Sequence, residues 1–481
     1  MENSHQSQSL KILHHFQVSP SPPPSADANL PLTFLDYPWL LCRPMQRLFF
    51  YESPLSTLQF TQTILPHLKT SLSAALHHFF PLVGHLISPA PPHRPYLRYS
   101  DGDSVPLTVA ESAGDFDQII TNDHPRDARE LRPFVPEMPR STLEPDGTKL
   151  VPLLAVQITL FPGKGVCVGC QFAHVATDGM GFHHFVKFWA SLFRSLHSGE
   201  KEDKKNTSPT VPSPARDREL IRGAYPGLES VLLNQWFEFG SSWDFDSGPT
   251  HYRDLSDKVR STFVITRTNI EKMKLWVRGE NPTPFRLSAF VVTTAFVWAN
   301  LVKSQAVGDS SVGDEPDALY RLSFVADCRQ RLQIELPPSY LGNCLGIYYV
   351  SMKKSDAVGE HGFAVAAEAI GRKVEELESG GGGPLRGAER WAPEWKALSE
   401  EGRLIAIAGS PRLKAYETDF GWGKPRKSEV VQVDCSPSVA LCESCDGGGG
   451  VEVGLAMARS KMEVFSGLFH DFMGQIEEFP A

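Results

Sequence analysis

The chain has 481 residues, 41% hydrophobic and 21% charged, with 47 Lys+Arg against 56 Asp+Glu for a formal net charge of −9. That length suits two to four domains, or one large pseudo-repeated fold, around a sizeable core, and it excludes a disordered or fibrous protein. The acidic balance excludes broad binding of nucleic acid phosphates, and no apolar run approaches the roughly 18 residues of a membrane-spanning helix.

The leader MENSHQSQSLKILHHFQVSPSPPPSADANL lacks a charged-then-apolar signal pattern, so the expected location is the cytoplasm. Residues 30–51, LPLTFLDYPWLLCRPMQRLFFY, form the first ordered segment. In LKTSLSAALHHFFPLVGHL, Leu68, Leu72, Leu76 and Phe79/Phe80 recur at helical spacing, and Pro81 stops the helix they predict. Residues 150–198 read as strand, strand, turn and helix. The next stretch, 199–217, is charged and Ser/Pro-rich without apolar periodicity, which places there the crossover between an N-terminal lobe (1–198) and a C-terminal lobe (218–481).

The second half opens with the strand STFVIT and a helix assigned the capping box Thr268-Asn-Ile-Glu271. A helix LSAFVVTTAFVWANLV follows, then strands in YRLSFVADCRQRL and YLGNCLGIYYVSM separated by a Pro-Pro loop. The chain closes on a hairpin around Asp446-Gly447-Gly448-Gly449-Gly450 and a helix assigned the cap Ser460-Lys-Met-Glu463. SQAVGDSSVGDEPD and ESGGGGPLRG read as mobile surface insertions, and no P-loop Lys-Ser/Thr follows their glycines. Strands and helices alternate in both halves, which predicts a mixed α/β fold of two comparable lobes.

Eight cysteines are too few for a disulfide scaffold and fit a reducing compartment. Cys167/Cys170 and Cys442/Cys445 form CxxC pairs, but both lie in strand-like runs, where residues three apart point to opposite faces. No metal site is expected from them.

Chemistry concentrates in VCVGCQFAHVATDGMGFHHFVKFWASLFRSL, residues 166–196. Val166, Val168, Cys170 and Phe172 share one strand face that His174 continues, and Phe182, Phe185/Val186, Trp189, Leu192/Phe193 and Leu196 then switch to helical spacing. A histidine fixed in that strand-to-helix turn can serve as a general base. The plain alternatives are a hydrogen-bonded core histidine and an Asp178 that only caps the helix. His183 and His184 read as solvent-facing or structural.

HVATDG (174–179) and DFGWGKP (419–425) resemble the two signature motifs of the plant BAHD acyl-CoA-dependent acyltransferases, in the same order. LTFLDYPWL, LKTSLSAALHHFFPLVGHL and VADCRQRL are similar to further stretches of that family, so the resemblance spans nearly the whole chain. Tyr340-Leu341-Gly342-Asn343-Cys344 resembles the YFGNC element of its anthocyanin and flavonoid glucoside clade, with Leu341 in place of Phe.

The resemblance implies a two-domain chloramphenicol acetyltransferase-like fold with a solvent channel between the lobes. His174 would be the base that activates an acceptor hydroxyl, without a covalent intermediate. Asp178, carried as a catalytic residue, would hold the loop through Arg329. Asp419 is a further catalytic candidate, although a structural and CoA-binding role for Asp419, Gly421 and Gly423 is the reading preferred. Ser288 and Ala289 open a helix that would line the CoA channel, with capping by Ser288 as the plain alternative. Lys258 and Arg260 are candidates for the CoA phosphates, with solvated side chains the preferred reading. Cys344 as a nucleophile is the rival mechanism.

The implied co-substrate is an acyl-CoA, with no permanently bound cofactor, and the acceptor is a flavonoid, anthocyanin or phenolic glucoside. Malonyl-CoA is preferred because AIAGSPRLKAYETDFGWGKPRKSE and VEVGLAMARSKMEVFSGLF look most like the malonyltransferase branch. The alternatives are a hydroxycinnamoyl-CoA donor and a non-catalytic binder on the same fold. A monomer without membrane or nucleic acid partners is expected.

Overall fold

The computed structural model describes residues 10–24, 28–197, 211–240, 245, 255–281, 284–306, 317–379 and 383–479. Residues 1–9 and 25–27 of the leader, 199–210 of the crossover, 307–316 of the SQAVGDSSVGDEPD stretch and 380–382 of the glycine run lie outside the described residues.

Two large sheets organise the fold. The six-stranded one runs Leu10–Val18, Val105–Ser112, Leu154–Phe161, Gly165–Phe172, Met45–Glu52, Lys427–Val430. Its inner face packs on the helices Leu65–His78 and Gly179–His197, where Leu68, Leu72, Leu76, Phe185 and Trp189 are fully buried. Each such side chain contributes about 1.5–3 kcal/mol, which is why the helical spacing read from sequence becomes a helix. The helix ends at His78, before Pro81, as the proline requires. The seven-stranded sheet runs Leu345–Lys353, Leu319–Asp327, Leu404–Ala408, Ser438–Glu443, Val451–Ala458, Lys258–Ile265, Arg126–Asp127. The helices Arg267–Glu280, Ala289–Ala306, Gly362–Ser379 and Arg459–Glu478 pack against it.

Each large sheet is completed by a strand from the other half of the chain. Lys427–Val430 pairs antiparallel with Met45–Glu52, and Arg126–Asp127 pairs with Lys258–Ile265. The seam between them is charged. Arg260 is 2% exposed and donates to both oxygens of Asp434, at 3.0 and 2.9 Å, and to Glu429 at 2.6 Å. Lys258 donates to the Asp434 carbonyl at 3.2 Å. The preferred reading of Arg260 as a solvated basic residue is therefore corrected: strands paired on both sides bury it, and its two carboxylates neutralise it, whereas Lys258 at the strand end is half-buried.

Two caps are also corrected. Thr266, not Thr268, accepts from the Asn269 N–H at 3.1 Å, because pairing with Val451 keeps the chain extended through Ile265. The last helix begins at Arg459 with no side-chain cap, so Ser460 sits inside its first turn. Cys167 and Cys170 lie in one strand as read, whereas Cys442 lies near the end of its strand and Cys445 falls in the turn beyond Glu443. Cys170 joins the core under the helices, Cys167 joins a separate cluster on the opposite face with Phe50 and Phe116, and all eight cysteines are free.

Candidate active site

Strand Gly165–Phe172 delivers the chain to a single turn, His174–Ala176, and Asp178 then opens the long helix by accepting from the Gly181 N–H at 3.1 Å. A Cβ at Gly181 would lie 2.0 Å from Thr177 Oγ1, so only glycine lets the helix start this close to the loop.

The His174 ring is 7% exposed and stacks on Trp39, with centroids 4.0 Å apart and planes 14° from parallel. Its Nδ1 faces Asn343 Oδ1 at 3.1 Å. The Asn343 amide nitrogen is committed to Asp36 Oδ1 at 3.0 Å and to the His174 and Val175 carbonyls at 2.9 and 3.2 Å. That orientation makes Asn343 an acceptor toward the ring, so Nδ1 carries the proton and Nε2 keeps the lone pair. Asp36 is itself fixed by Thr33, at 2.8 and 2.9 Å, and by Arg218. Burial lowers the His174 pKa from its ordinary value, and the charges of Asp178 and Asp36, with the bond to Asn343, partly oppose that shift. The lowered pKa favours the neutral ring.

Asp178 is fully buried and is gripped by both terminal nitrogens of Arg329, at 2.8 and 3.0 Å. The Cys344 N–H donates to the same carboxylate at 3.0 Å. Arg329 also reaches Asp327 at 2.9 Å and the Tyr340 carbonyl at 3.2 Å. One arginine thus ties the HVATDG loop to the YLGNC loop, and the YLGNC loop in turn supplies Asn343.

DFGWG stands apart from these contacts. Asp419 Oδ1 accepts from the Gly421 and Gly423 N–H groups at 2.6 and 3.0 Å, and both glycines have positive φ, 88° and 82°. Phe420 is buried between Trp189 and Tyr51, with centroids at 4.9 and 5.8 Å, and Arg194 donates to the Asp419 carbonyl. Among the described residues no hydrogen bond joins Asp419 to His174 or Asp178.

Ser288 Oγ accepts from the Val291 N–H at 3.2 Å, and Ser288 and Ala289 are half-buried at their helix start. The Cys344 thiol is buried and pushed well above its ordinary pKa by burial, which disfavours the thiolate a nucleophile needs. His183 is only 4% exposed, whereas His184 bonds the Pro212 carbonyl. Trp39, Asp36, Arg218 and the orienting role of Asn343 went unread in the sequence. The stretches LTFLDYPWL and YLGNC held three of them, but nothing local says what they touch.

The family model described as Transferase family matches residues 9–471. The chain belongs to this family. Its members are the BAHD acyltransferases that HVATDG and DFGWGKP resemble, and the chain is an acyl-CoA-dependent O-acyltransferase. Coumaroyl-CoA:anthocyanidin 3-O-glucoside-6''-O-coumaroyltransferase 2 of Arabidopsis thaliana is 37% identical over 467 residues, covering 96% of this chain and 97% of that protein. Malonyl-coenzyme A:anthocyanin 3-O-glucoside-6''-O-malonyltransferase of Dahlia pinnata is also 37% identical, with the same coverage of 96% and 97%. The family fold is seen in vinorine synthase, which is 20% identical with a TM-score of 0.65 and covers 95% of this chain and 96% of that one.

Proposed function

We propose that the protein moves a malonyl group from malonyl-CoA to a sugar hydroxyl of a flavonoid, anthocyanin or phenolic glucoside, with His174 as general base. The observation that carries the reading is the His174 ring itself: buried, its pKa lowered, with Nδ1 committed to Asn343 and Nε2 without a hydrogen-bond partner among the described residues. Nε2 removes the acceptor hydroxyl proton as the oxygen attacks the thioester carbonyl. The tetrahedral oxyanion then collapses, the C–S bond breaks, and CoA leaves as a thiolate to which the imidazolium returns the proton. Because a thiolate leaves readily, no acyl-enzyme is required.

Asp178 and Arg329 act as positioning residues, and Asp419, Gly421 and Gly423 maintain the loop that braces the long helix. Acyl-CoA enters a channel between lobes divided at 199–217, with Ser288 and Ala289 along its path, and the protein works as a cytoplasmic monomer. A second reading, a hydroxycinnamoyl donor, is supported by the coumaroyltransferase relative at the same 37% identity.

A donor-by-acceptor panel tests the proposal. Malonyl-CoA, coumaroyl-CoA and acetyl-CoA are offered with anthocyanin, flavonol and simple phenolic glucosides, and product masses are read. Malonylated glucosides as the dominant products support it. Coumaroylated products in their place select the second reading, and binding without transfer rejects both.

A further inference from the structure

Arg47 lies on strand Met45–Glu52 and is 5% exposed. A buried cation is costly unless a carboxylate meets it. Arg218, Arg260 and Arg329 each have one, at Asp36, Glu429/Asp434 and Asp178. Arg47 has no carboxylate in ion-pair reach among the described residues. Its Nε donates to Ser428 Oγ at 2.9 Å, and Nη2 donates to Cys442 Sγ at 3.3 Å, a weak acceptor. Nη1 has no hydrogen-bond partner among the described residues. The acid next along these contacts, Glu443, is reached only through Cys442 Sγ and is engaged by the Tyr416 N–H.

A second unmet group sits beside it. His183, in the second turn of the helix that follows Asp178, donates from Nδ1 to the Gly179 carbonyl at 2.8 Å, and its Nε2 is buried without a partner among the described residues. Both groups border the Phe49 ring: the Arg47 guanidinium carbon is 5.7 Å from its centre, and the His183 ring meets it edge-on at 6.2 Å. Arg47 pairs in register with Cys170, two residues before that strand ends at Phe172 and four residues before His174, at the strand end that leads into the site.

We propose that Arg47 and His183 form the receptor for the free carboxylate of a dicarboxylic acyl donor, malonyl above all, with Arg47 Nη1 as the principal donor. The inference rests on the acyl-transfer reading above. Burial, and after it the Arg47 charge, holds the His183 pKa well below its ordinary value, so the empty site has a neutral ring. An arriving carboxylate cancels the Arg47 charge, and Nε2 then takes up a proton to become a second charge-assisted donor. Lys187, the other charge acting on this ring, is occupied by the Leu413 carbonyl at 3.0 Å. An acetyl or coumaroyl group leaves Arg47 unmet, so the site selects by charge rather than by size.

The test compares malonyl-CoA, acetyl-CoA and coumaroyl-CoA as donors for the full-length wild type, Arg47→Gln and His183→Gln, using the best glucoside acceptor. In Arg47→Gln the malonyl-to-acetyl ratio of kcat/KM falls about 100-fold, mainly through KM, and in His183→Gln about tenfold. In the wild type that ratio declines as pH rises, because the incoming proton becomes harder to supply. An Arg47→Gln enzyme that keeps the wild-type ratio overturns the receptor and leaves the acyltransferase reading standing. A wild type that prefers coumaroyl-CoA overturns the receptor together with the malonyl assignment, and transfer from no donor overturns the acyltransferase reading beneath both. If Arg47→Gln does not fold, seen as loss of acetyl transfer and of cooperative unfolding, His183→Gln decides alone by the same ratio.

Discussion

The two signature motifs are equally prominent in sequence and are built on opposite plans. HVATDG is buried, and its polar groups find partners far along the chain: His174 meets Asn343, and Asp178 meets Arg329 and the Cys344 N–H. In DFGWG the aspartate caps its own glycines near the surface, and the anchoring is aromatic, through Phe420 against Trp189 and Tyr51. A loop that holds a histidine and a carboxylate in a buried site needs each charge met at a distance. One that braces a helix needs only a fixed turn and a ring to bury.

Removing the carboxylate from each motif separates them most strongly. Asp178→Ala takes from buried Arg329 its bidentate partner and leaves it only the partly exposed Asp327, so chemical denaturation should show a loss of about 3–5 kcal/mol, partly recovered when Arg329→Met is added. A loss below about 1 kcal/mol would mean that the pair is not the structural tie described. Asn343→Ala should act on chemistry more than on stability. It strips the ring of its orienting acceptor, and kcat should fall about 10- to 100-fold, the equivalent of one buried hydrogen bond.

The pH profile follows from burial. Because the His174 pKa is lowered, the base form predominates at the ordinary 6.5 and above, and kcat/KM should fall tenfold per unit only below a midpoint that lies under 6.5. Stability has the same sign. His174 and His183 are both held neutral, so the unfolded chain binds more protons below 6.5, and stability present above that value is lost as pH falls through the folded-state values. The smallest effect belongs to the second motif: Asp419→Ala should cost about 1 kcal/mol, as a lost cap does, and change kcat less than about tenfold. A loss as large as that expected for the base would erase the contrast and make Asp419 catalytic.

What the sequence made legible was local. Period-2 alternation located the strand before His174, helical spacing located Leu65–His78 and Gly179–His197, and the glycine run located the hairpin between Ser438–Glu443 and Val451–Ala458. The first cap slipped because two threonines flank the start of that helix, and the end of a strand, set by pairing with a remote partner, chooses between them. Strand exchange was invisible for the same reason: Lys427–Val430 is recognisable as part of the first sheet only through its register with Met45–Glu52. In the site, the resemblance named His174, Asp178 and Arg329, whereas the partner that sets the ring's tautomer lies 169 residues away at Asn343 and the ring it stacks on is Trp39, 135 residues earlier in the chain. His183 and Arg47 carried no signal, since a buried group lacking a partner is defined by its surroundings and not by its neighbours in the chain.

The central claim is that His174, held neutral by burial and by Asn343, is the base. Its most direct test is steady-state release of free CoA thiol from malonyl-CoA, with a glucoside acceptor, by wild type and His174→Ala. The account predicts a fall in kcat of about 10²–10⁴-fold with the unfolding midpoint near that of the wild type. Undiminished turnover in the folded variant would contradict it.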